Sequence, residues 1–279
     1  MRELITMWKN TRMVVLTILV AAIYAALLIP FKAIPLVPGF TEIRPAQIIP
    51  PVAALLFGPA AAWGTAFGNL IGDFFGTFGP GSFFGFIGNF FLGAIPYVLW
   101  GRITTREEPA MRNSRQVVGF VLVTFVSAVA CAAIIAWGLE VLRLLPFTLL
   151  GTIIALNNFI IPAIVGPILL ALLYRRVKRM GLLWTDIMER EDIAVAGPVM
   201  VGTAAMVIGG VGGWIVGELV GFGLGFPFGE AAGALIGEAG QPGVIWAVAP
   251  FMLLLLVGLF TARARPEAFV AEERPAAAA

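Results

Sequence analysis

Two rows of residues with a four-residue spacing mark the stretch of this chain that is best suited to bind a small molecule. The polar row is Thr65, Asn69, Asp73 and Thr77, and the glycine row one position earlier is Gly64, Gly68, Gly72 and Gly76. A step of four keeps residues on nearly one face of an α-helix, so a single helix would carry both rows. In a bilayer, small residues let helix backbones approach closely, whereas a carboxylate or an amide is costly against lipid. The pattern predicts a glycine groove beside polar side chains that face a protein interior or a cavity.

The composition excludes several classes of chemistry. The 279 residues are 60% hydrophobic and only 12% charged, with a mean hydropathy of +0.98, which predicts a polytopic membrane protein. The sequence has no histidine and a single cysteine, Cys131, so we expect neither a metal site nor a disulfide framework. It also lacks a nucleotide-binding glycine-rich motif. We therefore predict no enzyme activity and no cofactor, and ATP-driven work would require another chain.

Hydropathy predicts an all-α membrane helix bundle with three parts. The eight predicted helices are residues 13–29, 45–57, 60–78, 82–100, 116–142, 147–174, 193–221 and 244–261. The second is short and contains Pro50 and Pro51, which predicts a kink or a break. We divide the chain into a six-helix substrate-binding domain (residues 1–180), a two-helix extension (181–262) and a disordered cytoplasmic tail (263–279).

The loop after the first predicted helix, residues 31–44, has the composition of a lid. Its breakers, together with the proline just before it, exclude a continuous helix: Pro30, Pro35, Pro38 and Gly39. It is apolar for a loop between membrane helices, which predicts that it folds over a cavity. We call residues 31–44 the lid.

Loop charge predicts which side of the membrane each end occupies. If the N-terminus starts in the cytoplasm and eight helices alternate, all 18 basic residues except Lys32, Arg44 and Arg143 fall inside. That asymmetry fits the positive-inside rule and places both termini on the cytoplasmic side of the cell membrane. Asp73 and the lid then share the outer side, which predicts a pocket that captures its ligand from outside.

Each polar candidate has more than one interpretation. Asp73 could contact a ligand or the lid, pair structurally with Arg44 or another helix, or conduct protons. Asn69 and Asn89 could bind the polar edge of a heterocycle, or could equally hydrogen-bond between helices. Arg44 could clamp an anion, or could simply anchor a helix end at the interface.

Three further residues are candidates with weaker signals. Asn157 and Asn158 are adjacent and point about 100° apart, so at most one faces a given cavity, and we select Asn158. Phe84 belongs to a phenylalanine-rich run that could line an apolar pocket or face lipid and the core. Glu218 is a candidate buried charge, to which the sequence assigns no role.

These motifs resemble a known family. An R-P start at residues 44–45, L-F-G-P at 56–59, G-N-x-x-G-D at 68–73 and G-F-I-G-N-F at 85–90 are similar to motifs of the substrate-binding S components of energy-coupling factor (ECF) vitamin transporters. The resemblance covers about residues 13–174. It implies a six-helix fold that binds a vitamin or related micronutrient from outside beneath the first loop. It also implies a transmembrane scaffold subunit and two cytoplasmic ATPases as partners, with ATP hydrolysis toppling the loaded S component.

The first predicted helix resembles the docking element of that family. An A-x-x-x-A element contacts the scaffold in S components, and here either Ala21 and Ala25 or Ala22 and Ala26 would supply it. The extension departs from the six-helix pattern, which leaves open whether docking follows the family's mode.

The sequence therefore predicts a membrane-embedded subunit that binds a vitamin-like molecule for ATP-driven uptake. The proposed substrate-binding residues are Arg44, Asn69, Asp73, Phe84, Asn89 and Asn158. A flavin, a deazapurine precursor and a corrinoid are all candidate ligands. The alternatives are a standalone secondary transporter, in which Asp73 or Glu218 couples to protons or sodium, and a membrane scaffold protein without transport activity.

Overall fold

The structure, a computed structural model, describes residues 2–104, 107–189, 191–193, 199–223 and 238–269. The predicted all-α membrane bundle is confirmed: six helices within these residues are long and apolar enough to cross a membrane. The helices are α1 (Glu3–Thr6), α2 (Thr11–Leu28), α3 (Ile49–Phe57), α4 (Pro59–Asp73), α5 (Gly81–Ile103), α6 (Ser114–Val141), α7 (Phe147–Arg179), α8 (Trp184–Ile187), α9 (Val199–Val207), α10 (Gly213–Gly221) and α11 (Pro242–Thr261). A short antiparallel pair of strands, β1 (Pro35–Val37) and β2 (Thr41–Glu42), forms within the lid.

The glycine row brings α4 against α2. A Cβ on Gly64 would lie 2.6 Å from the Cβ of Val20, and one on Gly68 would lie 2.9 Å from the carbonyl oxygen of Ala21. Both distances are shorter than a side chain tolerates, so only glycine permits this approach. The close contact turns the polar row of α4 toward α5, where a Cβ on Gly85 would lie 3.1 Å from the Asn69 amide nitrogen.

The second predicted helix is broken, as its prolines suggest. Residues Pro45–Ile48 form a 3-10 turn, and α3 begins only at Ile49 with Pro50 and Pro51 in its first turn. Proline is tolerated there because the first helical N–H groups have no intrahelical partner. Gly58, with φ of +52°, then ends α3 and lets α4 start at once.

The third predicted helix ends earlier than the sequence suggests. It was expected to run through residues 60–78, but α4 stops at Asp73, so Gly76 and Thr77 lie in the following turn. The amides of Gly76 and Thr77 both bond to the carbonyl of Asp73, at 3.1 and 3.0 Å, which closes the helix. The four-residue spacing therefore extends beyond the helix that it predicts.

The extension packs against α6 and α7. A π-helical turn, Ile208–Gly212, joins α9 to α10, and a Cβ on Gly210 would lie 2.7 Å from the Cβ of Ala130 on α6. Two tryptophans join the extension to the core: Trp137 Nε1 donates to the Ile245 carbonyl at 3.0 Å, and Trp214 Nε1 donates to the Gly151 carbonyl at 3.1 Å. The exposed face of α2 lies outside this interface.

The start of the predicted disordered tail is ordered. Pro266–Phe269 forms a 3-10 turn in which Phe269 is buried, with its ring 5.3 Å from that of Trp184. The hydroxyl of Tyr174 donates to the Phe269 carbonyl at 3.2 Å. The expectation of disorder was wrong here because Phe269 finds an apolar site beneath the bundle. The remainder, residues 270–279, lies outside the described residues.

Candidate ligand-binding site

A cavity of about 240 Å³ lies between the lid and the ends of α4, α5, α6 and α7. Its walls come from the lid, from α4, from the turn between α4 and α5, and from the two helices opposite. The lining residues include Phe40, Arg44, Asn69, Asp73, Thr77, Ser82, Gly85, Ile135, Leu139, Leu150 and Ile154. The walls therefore include the lid, which the sequence predicts to cover a cavity, and the third to sixth predicted helices, α4 to α7.

Arg44 lies at the centre of the polar wall. Its Nε contacts Glu42 Oε1 at 2.8 Å, and its Nη1 donates to Asn69 Oδ1 at 3.0 Å. Burial by itself would lower the pKa of the Arg44 guanidinium. The Glu42 carboxylate, together with Tyr24, Asp73 and Cys131, raises this pKa by more than burial lowers it, so the net shift is upward. Arg44 is therefore a permanent cation on the cavity wall.

Asp73 is held by three neighbours. Its carboxylate accepts hydrogen bonds from Thr77 Oγ1 at 3.0 Å and from Asn69 Nδ2 at 3.3 Å, and Lys32 Nζ lies 3.5 Å away. Lys32 also contacts Glu42 at 3.2 Å and donates to Thr77 at 2.6 Å. Two acids and two cations, Glu42 and Asp73 with Lys32 and Arg44, thus balance in charge beside the cavity.

Asn157 fixes the lid to α7. Its Nδ2 donates to the backbone carbonyl of Glu42 at 2.7 Å, and its Oδ1 accepts from the backbone amide of Arg44 at 3.2 Å. Of the two adjacent asparagines, Asn157 therefore contacts the lid. These two hydrogen bonds hold the backbone at Glu42 and Arg44 in place, so that the Arg44 guanidinium faces the cavity.

The predicted site residues divide into two groups. Arg44, Asn69 and Asp73 line the cavity together. Asn89 lies one turn deeper than the cavity-lining Gly85, where its Oδ1 accepts from Tyr24 Oη at 3.1 Å and its Nδ2 donates to the Gly85 carbonyl at 2.9 Å.

Phe84 and Asn158 also lie outside the set of lining residues. The Phe84 ring packs on α6, with its centroid 6.3 Å from that of Trp137. Asn158 is buried below the lining residue Ile154 on α7, with 1% of its surface exposed.

The sequence analysis did not select Lys32, Glu42 or Asn157, and it placed Thr77 in the polar row without proposing it as a substrate-binding residue. One signal was present: Lys32, Glu42 and Arg44 place three charges in a lid that is otherwise mostly apolar. Which charge meets which partner depends on how the lid folds back on α4 and α7, and a linear pattern does not contain that information.

The fold and the cavity define a multi-pass membrane protein with a lid-covered binding cavity between its helices. The chain belongs to the QueT transporter family, whose family model matches residues 14–175. This family is one of ECF S components, so the resemblance seen in the sequence is confirmed, and it is a transporter family rather than an enzyme family. The match begins in α2 and ends within α7, so it includes every helix that lines the cavity.

No curated protein matches this chain, and no solved structure matches it. The assignment of this chain to its family therefore rests on the family model. The extension, α9 to α11, lies outside the matched residues.

Proposed function

We propose that this protein captures a queuosine precursor, a substituted 7-deazaguanine base, from outside the cell for ATP-driven uptake by an ECF-type transporter. The observation that carries the proposal is the lid-covered cavity within the residues that match the QueT family. Arg44, Asn69 and Asp73 are the substrate-binding residues in this proposal. Asn89 and Phe84 have supporting roles outside the cavity wall. Asn89 hydrogen-bonds to Tyr24, and Phe84 packs on α6.

The size of the cavity favours a small base. Drug-sized ligands occupy sites of about 300–1,000 Å³. The cavity here is about 240 Å³, just below that range, which favours a two-ring base over the larger flavin and corrinoid.

The chemistry of the walls suits a flat polar heterocycle. Ile135, Leu139, Leu150 and Ile154 supply apolar surface for the faces of a ring. Arg44 and Asp73 supply a strong donor and a strong acceptor for its edge. Because the surrounding charges balance, the site does not require a ligand of high net charge.

The proposal is tested by identifying what the protein carries. Mass spectrometry of the small molecules released from denatured protein, purified from its native membrane, should detect a stoichiometric 7-deazaguanine derivative. Calorimetry on the emptied protein should then show saturable binding of 7-aminomethyl- or 7-cyano-7-deazaguanine. Protein that carries no such base and binds neither probe would overturn the assignment.

Replacing Asp73 with asparagine should weaken binding of these probes by about 10- to 100-fold, since a charge-assisted hydrogen bond contributes about 1.5–3 kcal/mol. The protein should remain folded in detergent, because Lys32 keeps Glu42 as an ionic partner. Titration calorimetry and a thermal melt check both expectations.

A matched control for this variant is Glu218→Gln. Glu218 is another buried carboxylate, but it lies between α7 and α10, where Oε1 accepts from Thr152 Oγ1 at 3.2 Å. Its substitution should leave the affinity for the probe unchanged. Normal binding by the Asp73→Asn protein would remove Asp73 from the site.

The proposed partners are a scaffold subunit and two cytoplasmic ATPase subunits, with both termini of this chain in the cytoplasm. Solvent exposure supports Ala22 and Ala26 as the docking element. Only 6% of the surface of Ala21 and 5% of that of Ala25 is exposed, whereas Ala22 and Ala26 are exposed. The exposed pair lies on α2, which has no substantial contact with α9, α10 or α11, so these three helices leave the pair accessible.

A standalone ion-coupled transporter remains the second candidate, and burial of Glu218 favours it. The Oε2 atom of Glu218 has no hydrogen-bond partner among the described residues. Uptake that collapses with an ionophore and persists without the ATPases would support this candidate. Uptake that requires the ATPases would exclude it.

A further inference from the structure

The cavity walls continue downward as a layer of polar side chains. Three of the four lining helices have a polar residue one turn below a lining residue: Asn158 lies below Ile154 on α7, Asn89 below Gly85 on α5, and Thr65 below Asn69 on α4, whereas α6 has the Cys131 thiol below Ile135. Residues four apart share a face of a helix, so these side chains point the same way as the cavity wall above them. The layer beneath the cavity is therefore largely polar, although it is buried inside a membrane bundle.

Half of this layer is satisfied internally. Asn89 bonds to Tyr24 and to the Gly85 carbonyl, and Thr65 Oγ1 donates to the Asn89 carbonyl at 2.8 Å. These bonds join α2, α4 and α5, so they serve the packing of the bundle.

Asn158 is different. Only 1% of its surface is exposed, and within the described residues neither atom of its amide has a nitrogen or oxygen partner. The Cys131 sulfur interacts with it, but a thiol sulfur is a weak hydrogen-bond acceptor.

Gln47 presents a second amide of the same kind. It is 1% exposed, and neither Oε1 nor Nε2 has a hydrogen-bond partner among the described residues. The backbone amide of Gln47 donates to the Arg44 carbonyl at 3.1 Å, so Gln47 lies one 3-10 turn after this cavity-lining residue. The 3-10 turn that carries Gln47 packs on α7, to which Asn157 fixes the lid.

Two buried primary amides, one three residues after the lining residue Arg44 and one four residues after the lining residue Ile154, call for a physical explanation. A buried polar group without a partner is strongly unfavourable, and native proteins contain few of them. Packing alone would be served better by methionine and leucine, which have the same size and no polar atoms.

We infer that the ligand site extends one helical turn below the open cavity, where the amides of Gln47 and Asn158 bind the edge of the ligand. Each amide offers a donor beside an acceptor, which complements a ligand edge that carries the same pair, such as the lactam and amino groups of a 7-deazaguanine. The ligand then lies between the apolar walls, with Arg44 and Asp73 above and the two amides below. This inference rests on the proposed function, and it names the two residues that select for the edge of the base.

Isosteric apolar variants test the inference in the full-length protein. Gln47→Met and Asn158→Leu should each weaken the binding of 7-deazaguanine by about tenfold, the effect of one lost hydrogen bond. Both should also reduce the preference for 7-deazaguanine over 7-deazaadenine, which lacks the lactam edge. Without ligand, their melting temperatures should be unchanged or higher, because an unpartnered buried amide has been removed.

Thr124→Val is the matched control. Thr124 is fully buried on α6, its Oγ1 also lacks a partner among the described residues, and it lies seven residues before Cys131 in the chain. Its substitution should leave the affinity and the base preference unchanged.

The possible outcomes separate the two proposals. If the wild-type protein binds 7-deazaguanine and both amide variants bind it equally well, the amides serve packing or hold buried water, and the inference fails while the proposed function stands. Variants that melt earlier but bind normally lead to the same conclusion. If the wild-type protein binds no 7-deazaguanine probe at all, the proposed function and this inference are both overturned.

Discussion

Replacing Arg44 with methionine is expected to abolish ligand binding and to lower the free energy of unfolding by about 3–5 kcal/mol, the usual cost of removing one partner from a buried ion pair. Arg44 is the partner of Glu42, which is only 1% exposed and which the variant would leave with Lys32 alone. The Asn69 side chain would also lose its donor. Calorimetry with a 7-deazaguanine probe and a thermal melt in detergent measure the two effects.

A second substitution separates the stability effect from the binding effect. The single variant leaves two buried carboxylates, Glu42 and Asp73, to share Lys32. In the double variant with Glu42→Gln, Lys32 and Asp73 balance in charge, so much of the lost stability should return. Ligand binding should stay abolished, because the cavity still lacks its cation. If the single variant melts like the wild type, Arg44 does not hold the lid, and the charge network has another role.

Tryptophan at both Ala22 and Ala26 is expected to reduce ATP-dependent uptake by about tenfold or more while leaving the affinity for the ligand unchanged. Both alanines are exposed on α2, and overpacking at a close helix contact costs about 1–3 kcal/mol at each position. Neither lines the cavity. Uptake of labelled base into cells, together with co-purification of the scaffold subunit, measures the effect.

Ala171→Trp provides the control for size and lipid exposure. Ala171 is an exposed alanine on α7, outside the α2 face, and its substitution should leave uptake normal. Normal uptake by the Ala22 and Ala26 double variant would mean that the scaffold docks on another surface or that transport proceeds without it.

The sequence by itself determined the class of protein and indicated where to look for a candidate site. Hydropathy and length define the helix bundle, since a bilayer requires long apolar segments whose backbone groups are satisfied internally. On α4, the glycine row that contains Gly68 packs against α2, and the polar row that contains Asp73 faces α5. The sequence predicts two such faces because the direction of a side chain on a helix is a local property of the chain. Asn69 and Asp73, from the polar row, and Arg44, from the lid, all line the cavity.

Only the tertiary structure decided which polar groups meet. Lys32 and Glu42 are separated from Asp73 by many residues, and they join it only because the lid folds back over α4. The same folding ties Asn157 to the lid, and it leaves the amides of Asn158 and Gln47 without a nitrogen or oxygen partner among the described residues. Adjacent or four-residue spacings fix the direction of a side chain on its own helix, but the partner it meets depends on contacts between segments that are distant in sequence. That is the physical reason why the sequence could indicate candidate residues, whereas the structure had to supply the contacts between them.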